Sequence, residues 1–554
     1  MNRERLTSFA GAALLALAGC GGSGAGGEGN QAPPLPQPPP VTATEAFQFL
    51  NQASFGATEA EAERVIDLGI EAWIDAQLRQ PASLQLPFLQ SLGPQPLFEM
   101  FELQPDRADI WFRNVLHGDD QLRQRVAFAL SEIMVVSQLG ALGDQPYALA
   151  SYYDMLVRNA FGNYRDLIED VTLHPAMGVY LSMLGNQKPD ATRNIRPDEN
   201  YARELMQLFS IGLVELNQDG SVRFDAGGQP IPTYDQATIE GFAHVYTGWT
   251  YAGATQFNDA FPTPERQVTP MQLWPEFHDT GAKRLLNGVN LPPGQTGEQD
   301  LADALDNIFN HRNVGPFIAI RLIQRLVTSN PSPGYISRVA AVFNDDGSGL
   351  RGNLGAVVRA ILLDEEARPA LPMEIDGKVK EPLLRLTQLW RNYDAASASG
   401  RYPLNYAYVV FGQGALQSPS VFNFFSPFYA PPGEIRNNGF VAPELEIATE
   451  YLNTFITNYM FAQTFLWNHT ADTASEEITE DTVLIDFAEE VATATDIDAL
   501  IDRVAAKLLA GRISTGLRAE IAGMVALIPE EQAVFRAAET IYLVVTSPEY
   551  AYQL

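Results

Sequence analysis

Apolar residues recur at helical spacing through most of the chain. Over 119–137, Leu122, Val126, Leu130 and Ile133 share one stripe while Arg123, Arg125 and Glu132 fall away from it, as in an amphipathic helix facing a core. The run Thr58-Glu59-Ala60-Glu61 reads as a capping box, the threonine accepting from the backbone and the glutamate reaching back, so a helix over 62–68 is expected. Similar patterns occupy roughly 145–161, 198–211, 234–247, 300–328, 334–363, 378–393 and 443–466, with a last group from about 481 to 547. Strand alternation is scarce: 222–224 and 231–233 can form a small hairpin around Ala226-Gly227-Gly228. The fold class expected is mainly α, a multi-helical globular protein with long ordered loops and at most that hairpin.

Two segments break the rhythm. Residues 248–299 hold Trp249, Trp274 and several prolines, and 396–442 are rich in aromatics, proline and glycine. Irregular stretches of that length inside a domain are either functional or disordered, and their aromatic content favours packed lids. The division expected along the chain is a leader at 1–19, a tether at 20–43, a main helical domain at 44–470 and a C-terminal helical subdomain at 471–554.

The leader has Arg3 and Arg5 ahead of a short apolar stretch closed by small residues, the layout of a secretory signal and too short for a spanning helix. It ends in Leu17-Ala18-Gly19-Cys20, which looks like a lipobox, and Cys20 is the only cysteine in 554 residues. With no disulfide partner available, Cys20 is expected to carry lipid and anchor an exported protein to a membrane. Gly21, rather than Asp, after the cysteine points to the outer membrane, with the leaflet open. Residues 21–43 are Gly- and then Pro-rich, a composition that stays solvated and semi-extended.

Charge narrows the partners. The formal net charge is −31, and loss of Arg3, Glu4 and Arg5 with the leader makes it more negative still. Such a chain repels phosphate backbones, which argues against nucleic acid. Hydrophobic residues make up 46% of the chain, enough for a large core.

Seven segments in order carry a resemblance: His174-Pro175-Ala176-Met177-Gly178; Asp198-Glu199-Asn200-Tyr201-Ala202-Arg203-Glu204-Leu205; Tyr246-Thr247-Gly248-Trp249-Thr250; Phe277-His278-Asp279-Thr280-Gly281-Ala282-Lys283; Asn313-Val314-Gly315-Pro316-Phe317; Leu326-Val327-Thr328-Ser329-Asn330-Pro331; and Ser418-Pro419-Ser420-Val421-Phe422-Asn423-Phe424-Phe425. The chain resembles the bacterial domain of unknown function 1800 family from about residue 44 to 554. The resemblance locates chemistry without naming it. It implies, from the company such genes keep, a secreted sulfatase-like protein of the domain of unknown function 1501 family as a partner. One departure stands out: Ala243-His244 precedes the Thr-Gly-Trp where relatives lead one to expect Ala-Arg, and His244 binds an anion only when protonated.

A helix over 199–211 puts Tyr201, Leu205, Leu208 and Phe209 on one face and Glu199, Asn200, Arg203, Glu204 and Gln207 on the other. The polar arc is a site candidate or a set of plain helix pairs. Glu240 and His244 sit one turn apart on the next helix, as a surface pair or a metal-binding pair. His174 precedes proline and belongs in a turn; His278 and Asp279 lie in an irregular segment. His174, Glu204, His278 and Asp279 make a candidate set for a divalent metal such as zinc, manganese or iron. Alternatively one of the histidines is a general base beside Asp279, with Arg203 and Lys283 receiving an anion and Asn200, Glu240 and Trp249 contacting substrate. There is no Gly-x-Ser-x-Gly elbow, Walker loop or complete calcium loop; Glu215-x-Asn217-x-Asp219-Gly220 reads as a turn. The first functional reading is a hydrolase acting on a polymer or an anionic ester in a polar cleft. The second is a non-enzymatic carrier or assembly partner of the sulfatase-like protein.

Overall fold

A computed structural model describes residues 40–93, 97–368, 377–471 and 478–553. The leader, Cys20 and the tether to residue 39 lie outside the described residues. Residues Val41–Leu554 form one unit, and helices dominate it as the periodicity requires. No helix among the described residues is long and apolar enough to cross a membrane.

Local chemistry sets the helix starts. Thr58 caps Glu59–Leu68 by accepting from the Glu61 N–H at 3.1 Å. The return bond expected from Glu61 is not made, because its carboxylate accepts from Trp73 Nε1 at 2.6 Å. Two-sided capping boxes occur instead at Thr42 with Glu45 and at Thr296 with Gln299. The long patterns over 300–328 and 334–363 each resolve into two helices, Gly297–Phe309 with Val314–Leu326 and Pro333–Asn344 with Leu354–Leu363. The second break falls at a turn where Gly347, Gly349 and Gly352 all have positive φ.

The helix Gln121–Ser131 is central rather than half-exposed. It packs against Pro146–Asn159 and Val314–Leu326, so Arg125 and Glu132, expected on its outer face, are buried, and Arg123 lies over the Phe161 ring at 4.6 Å. The expected helix over 199–211 begins as Asn200–Glu204 and passes into a π turn at Leu205–Ser210, where Tyr164 Oη donates to the Phe209 carbonyl at 2.6 Å. The wider turn rotates the face, leaving Leu208 only half-buried and Glu204 buried.

Strand structure among the described residues is limited to three two-stranded antiparallel sheets. Trp249–Thr250 pairs with Gln272–Leu273, Lys283–Arg284 with Asn290–Leu291, and Lys378–Val379 with Tyr552–Gln553. The last ties the chain's end to the segment before the helix Pro382–Asn392. The expected hairpin is a three-segment meander of isolated bridges, Val214 with Pro232, Leu216 with Val222 and Phe224 with Pro230, closed at a turn in which Asp225 accepts from the N–H groups of Gly227 and Gln229. The Asp219 turn is as expected, its carboxylate accepting from Ser221. Segment 248–299 is ordered by two of the sheets and by Phe257 stacked on Phe277 at 4.0 Å.

The segment that carries His278 and Lys283 is pressed against the helix Gln236–Val245 through one glycine. A Cβ on Gly241 would lie 1.9 Å from the Arg284 carbonyl oxygen. Gly241→Ala gains about 1 kcal/mol of helix propensity yet is expected to destabilise the fold by about 2 kcal/mol through this clash. A lower urea midpoint with unchanged slope is the expected result; a midpoint equal to or above wild type contradicts the packing.

Candidate functional site

Gln236–Val245 starts at Asp235, whose carboxylate accepts from the Thr238 N–H and from Arg284. Its apolar face buries Ile239, Phe242 and Val245, leaving Gln236, Glu240 and His244 along one flank, one turn apart. Gln236 Nε2 donates to both Glu199 oxygens at 3.0 Å and to Glu240 at 3.4 Å, and Arg203 donates to Glu199 at 2.9 Å. The structure therefore brings Glu199, Arg203 and Glu240 into one row. The row is partly solvated, with Arg203 39% and Glu199 32% exposed, so each link contributes only about 0–1 kcal/mol. Asn200 stands apart, exposed, its backbone N–H donating to Asp198.

His244 does not pair with Glu240. Its Nδ1 meets Asp279 Oδ2, and Asp279 is fixed further by the Gly281 N–H at 2.7 Å. The His244 bond holds the Asp279 carboxyl down at about 2, against the opposing effect of burial. This is the base-and-orienter half of an acid–base device. Among the described residues the His244 ring bonds to nothing else, so no hydroxyl or thiol nucleophile is in place beside it.

His278 and Lys283 meet a residue the sequence reading missed. His278 Nδ1 faces the Thr247 carbonyl at 2.9 Å and Nε2 faces Asp300 Oδ2 at 2.9 Å. Lys283 Nζ reaches the same Asp300 oxygen at 2.5 Å and donates to the carbonyls of Asp279 and Gly281. All three side chains are buried. Asp300 sits in the first turn of Gly297–Phe309, where the helix dipole favours a negative charge. Gly248 (φ +89°) leaves room for the His278 ring, since a Cβ there would stand 3.0 Å from His278 Cβ. The result is a lock between loop and helix. Lys283 is not open to an anionic substrate as expected, because its ammonium is spent inside the lock.

The remaining expected site residues are dispersed. His174 caps Pro175–Tyr180, Nδ1 accepting from the Ala176 N–H at 3.2 Å and Nε2 lying 3.2 Å from Ser151 Oγ. Burial drives its pKa down to about 3, so the ring is neutral. Glu204 is buried, which raises its carboxyl pKa; among the described residues its Oε2 and the Tyr234 hydroxyl both lack a hydrogen-bond partner. Trp249 is buried in its short sheet and offers no substrate surface. Among the described residues no group of three or more His, Cys, Asp or Glu side chains is placed to hold a metal ion, so the set His174, Glu204, His278 and Asp279 is not a metal centre.

A cavity with the volume of a ligand site lies elsewhere. It measures about 570 Å³ and is walled by the π turn and the meander on one side, by Phe317, Ile320, Arg321 and Arg325 of Val314–Leu326 on another, and by residues 421–428. The Arg321 guanidinium lies between the rings of Phe317 and Phe428, at 5.0 and 4.6 Å, and burial lowers its pKa to about 9. Arg325 lies over Phe425 at 4.6 Å and forms an ion pair with Glu132 at 3.3 Å. Behind them, Lys378 Nζ stands 3.2 Å from Glu381 and 3.0 Å from Glu444, Gln413 donates to both Glu132 and Glu381, and Arg125 donates to the Arg325 carbonyl at 2.6 Å. Burial raises the carboxyls of Glu132 and Glu444; it acts the same way on Glu381, where Lys378, Arg325 and Arg125 prevail and keep it low. The signal for this site was in the sequence, as Phe317, Arg321 and Arg325 at helical spacing in an otherwise apolar helix and as the aromatic run 421–428.

The neutral, buried His174 has a consequence for stability. A histidine whose folded pKa is depressed contributes stability above its unfolded value near 6.5, lost as pH falls toward about 3. Replacing it with Asn, which keeps an N-cap acceptor, is expected to lower the slope of unfolding free energy between pH 6 and 4 by up to about 1.4 kcal/mol per pH unit. Urea titrations across that range check it; an unchanged slope contradicts the assignment.

A family model described as "Protein of unknown function (DUF1800)" matches residues 48–552. No curated protein and no solved structure matches the chain.

Proposed function

The chain belongs to the DUF1800 family, and on that premise we propose that it is a binding protein of the bacterial envelope, a carrier or assembly partner, held at a membrane by lipid on Cys20. One observation carries the binding reading: an apolar-walled cavity whose polar groups Glu132, Arg325 and Asn423 have unbonded atoms. The groups expected to do hydrolysis support the same reading from the other side. His174 and His278 are engaged in caps and locks, as are Lys283 and Trp249 in packing, and none of them lines the cavity. The sulfatase-like protein expected from gene company is then the protein to which the helical body, or its cargo, is presented. A lipobox ahead of a solvated tether supports anchoring, with Gly21 favouring the outer membrane.

Hydrolysis keeps one observation in its favour, the His244–Asp279 pair with its ring 31% exposed. Two measurements separate the readings. Protein extracted from native membranes in mild detergent is expected to release a stoichiometric small molecule on denaturation. Leu208→Trp, which fills the cavity, is expected to release none. Equal and empty extracts from both, together with ester turnover that His244→Gln abolishes, would falsify the binding reading. Radiolabelled palmitate is expected on the wild type and absent from Cys20→Ser, which should appear in the soluble fraction; label on the variant refutes the anchor.

A further inference from the structure

The cavity joins two surfaces of opposite character. Its lip is apolar and open, with Leu213, Phe422 and Phe428 57%, 59% and 69% exposed, more contiguous apolar surface than a solvated lip needs. Its polar wall presents Glu132 Oε2, Arg325 Nη1 and Asn423 Nδ2, from residues each more than nine-tenths buried, and none of these atoms has a hydrogen-bond partner among the described residues. Arg325 Nη1 and Glu132 Oε2 stand 3.3 Å apart as an ion pair without hydrogen-bond alignment. Leaving such groups unbonded inside a fold is costly, and a ligand that bonds them recovers that cost.

Charge decides the sign of that ligand. Arg125, Arg325 and Lys378 lie with three carboxyls, Glu132, Glu381 and Glu444, in this buried cluster, and Arg321, one turn before Arg325 and held between two rings, adds a fourth cation with no ion pair among the described residues. Positive charge is in excess even with every carboxyl ionised, and the excess grows where burial keeps a carboxyl protonated. A neutral amphiphile leaves the excess uncompensated. An anionic end bearing two oxygens accepts from both the Arg325 guanidinium and the Asn423 amide, while an apolar body fills the aromatic walls toward the lip.

Resting on the binding reading above, we propose that the cavity takes an apolar chain ending in a single carboxylate, with the carboxylate between Arg325 and Asn423 and the chain along Phe317, Phe422 and Phe428. The test uses the full chain carrying Cys20→Ser, stripped of bound lipid, with a fluorescent polyene fatty acid as reporter. Palmitate is expected to displace the reporter at one equivalent, and hexadecanol and methyl palmitate to bind at least tenfold more weakly. Asn423→Asp, which keeps a residue suited to the positive φ of 69° but replaces the donor by a negative charge, is expected to cost palmitate at least tenfold while leaving hexadecanol unchanged. Circular dichroism and urea midpoints confirm that the variant is folded. If hexadecanol matches palmitate and Asn423→Asp changes neither, the carboxylate assignment is overturned while the binding reading stands. An apolar peptide amidated at its C-terminus, and so without a carboxylate, that outcompetes palmitate also overturns it. If no apolar probe binds wild type more tightly than Leu208→Trp, the binding reading itself falls.

Discussion

Charge buried in an apolar helical body is the constraint around which this protein is arranged. Moving an ion out of water costs several kcal/mol unless partners are fixed in place, and removing one partner afterwards costs about 3–5 kcal/mol. Arg125 lies within the enclosed helix Gln121–Ser131 and Glu132 at its C-cap, Arg325 comes from Val314–Leu326, and Lys378, Glu381 and Glu444 come from segments far along the chain. Their bonds tie the central helix to the C-terminal third, where Lys378–Val379 pairs with the last strand. Because the cluster also forms one wall of the cavity, the interaction that joins the parts also sets the charge a ligand meets.

Five of the seven segments that carry the family resemblance sort into two places. His174–Gly178, Tyr246–Thr250 and Phe277–Lys283 build a packed polar body: Gly248 lies against His278, Trp274 donates to the Gly248 carbonyl and Gly185 donates to that of Trp249. Asn313–Phe317 and Ser418–Phe425 instead serve the cavity, Asn313 by donating to the Ile211 and Val214 carbonyls of its wall and Phe317, Val421, Phe422, Asn423 and Phe425 by lining it. The first group's ionisable residues are consumed in holding loops to helices. The second group carries no ionisable residue and instead lines or braces the cavity.

The mainly α architecture was legible because periodicity of 3.6 survives in helices such as Gln236–Val245 and Val314–Leu326. Pairing across the chain was not. Nothing near Asp300 in sequence announces His278 and Lys283, and a helical wheel assigns Arg125 and Glu132 to solvent because it assumes that one side of a helix is open. Glu204 was misplaced by the π turn, whose register a regular wheel lacks. Of the four groups read as one polar cleft, His174, His278 and Asp279 have separate partners and Glu204 is buried apart from them, since polarity in a sequence marks where bonds are needed and not whether a ligand makes them.

In the cluster behind the cavity, burial favours the protonated form of Glu132 while Lys378, Arg325 and Arg125 keep Glu381 charged, which adds to the cationic excess. Paired unfolding measurements of Glu132→Gln and Glu381→Gln at neutral pH test it directly. A change below about 1 kcal/mol is expected for Glu132→Gln, which keeps an oxygen to accept from Gln413 and adds no charge, and a loss above about 3 kcal/mol for Glu381→Gln, which strips Lys378 and Arg325 of their shared anion. Equal losses, or the reverse order, would contradict it.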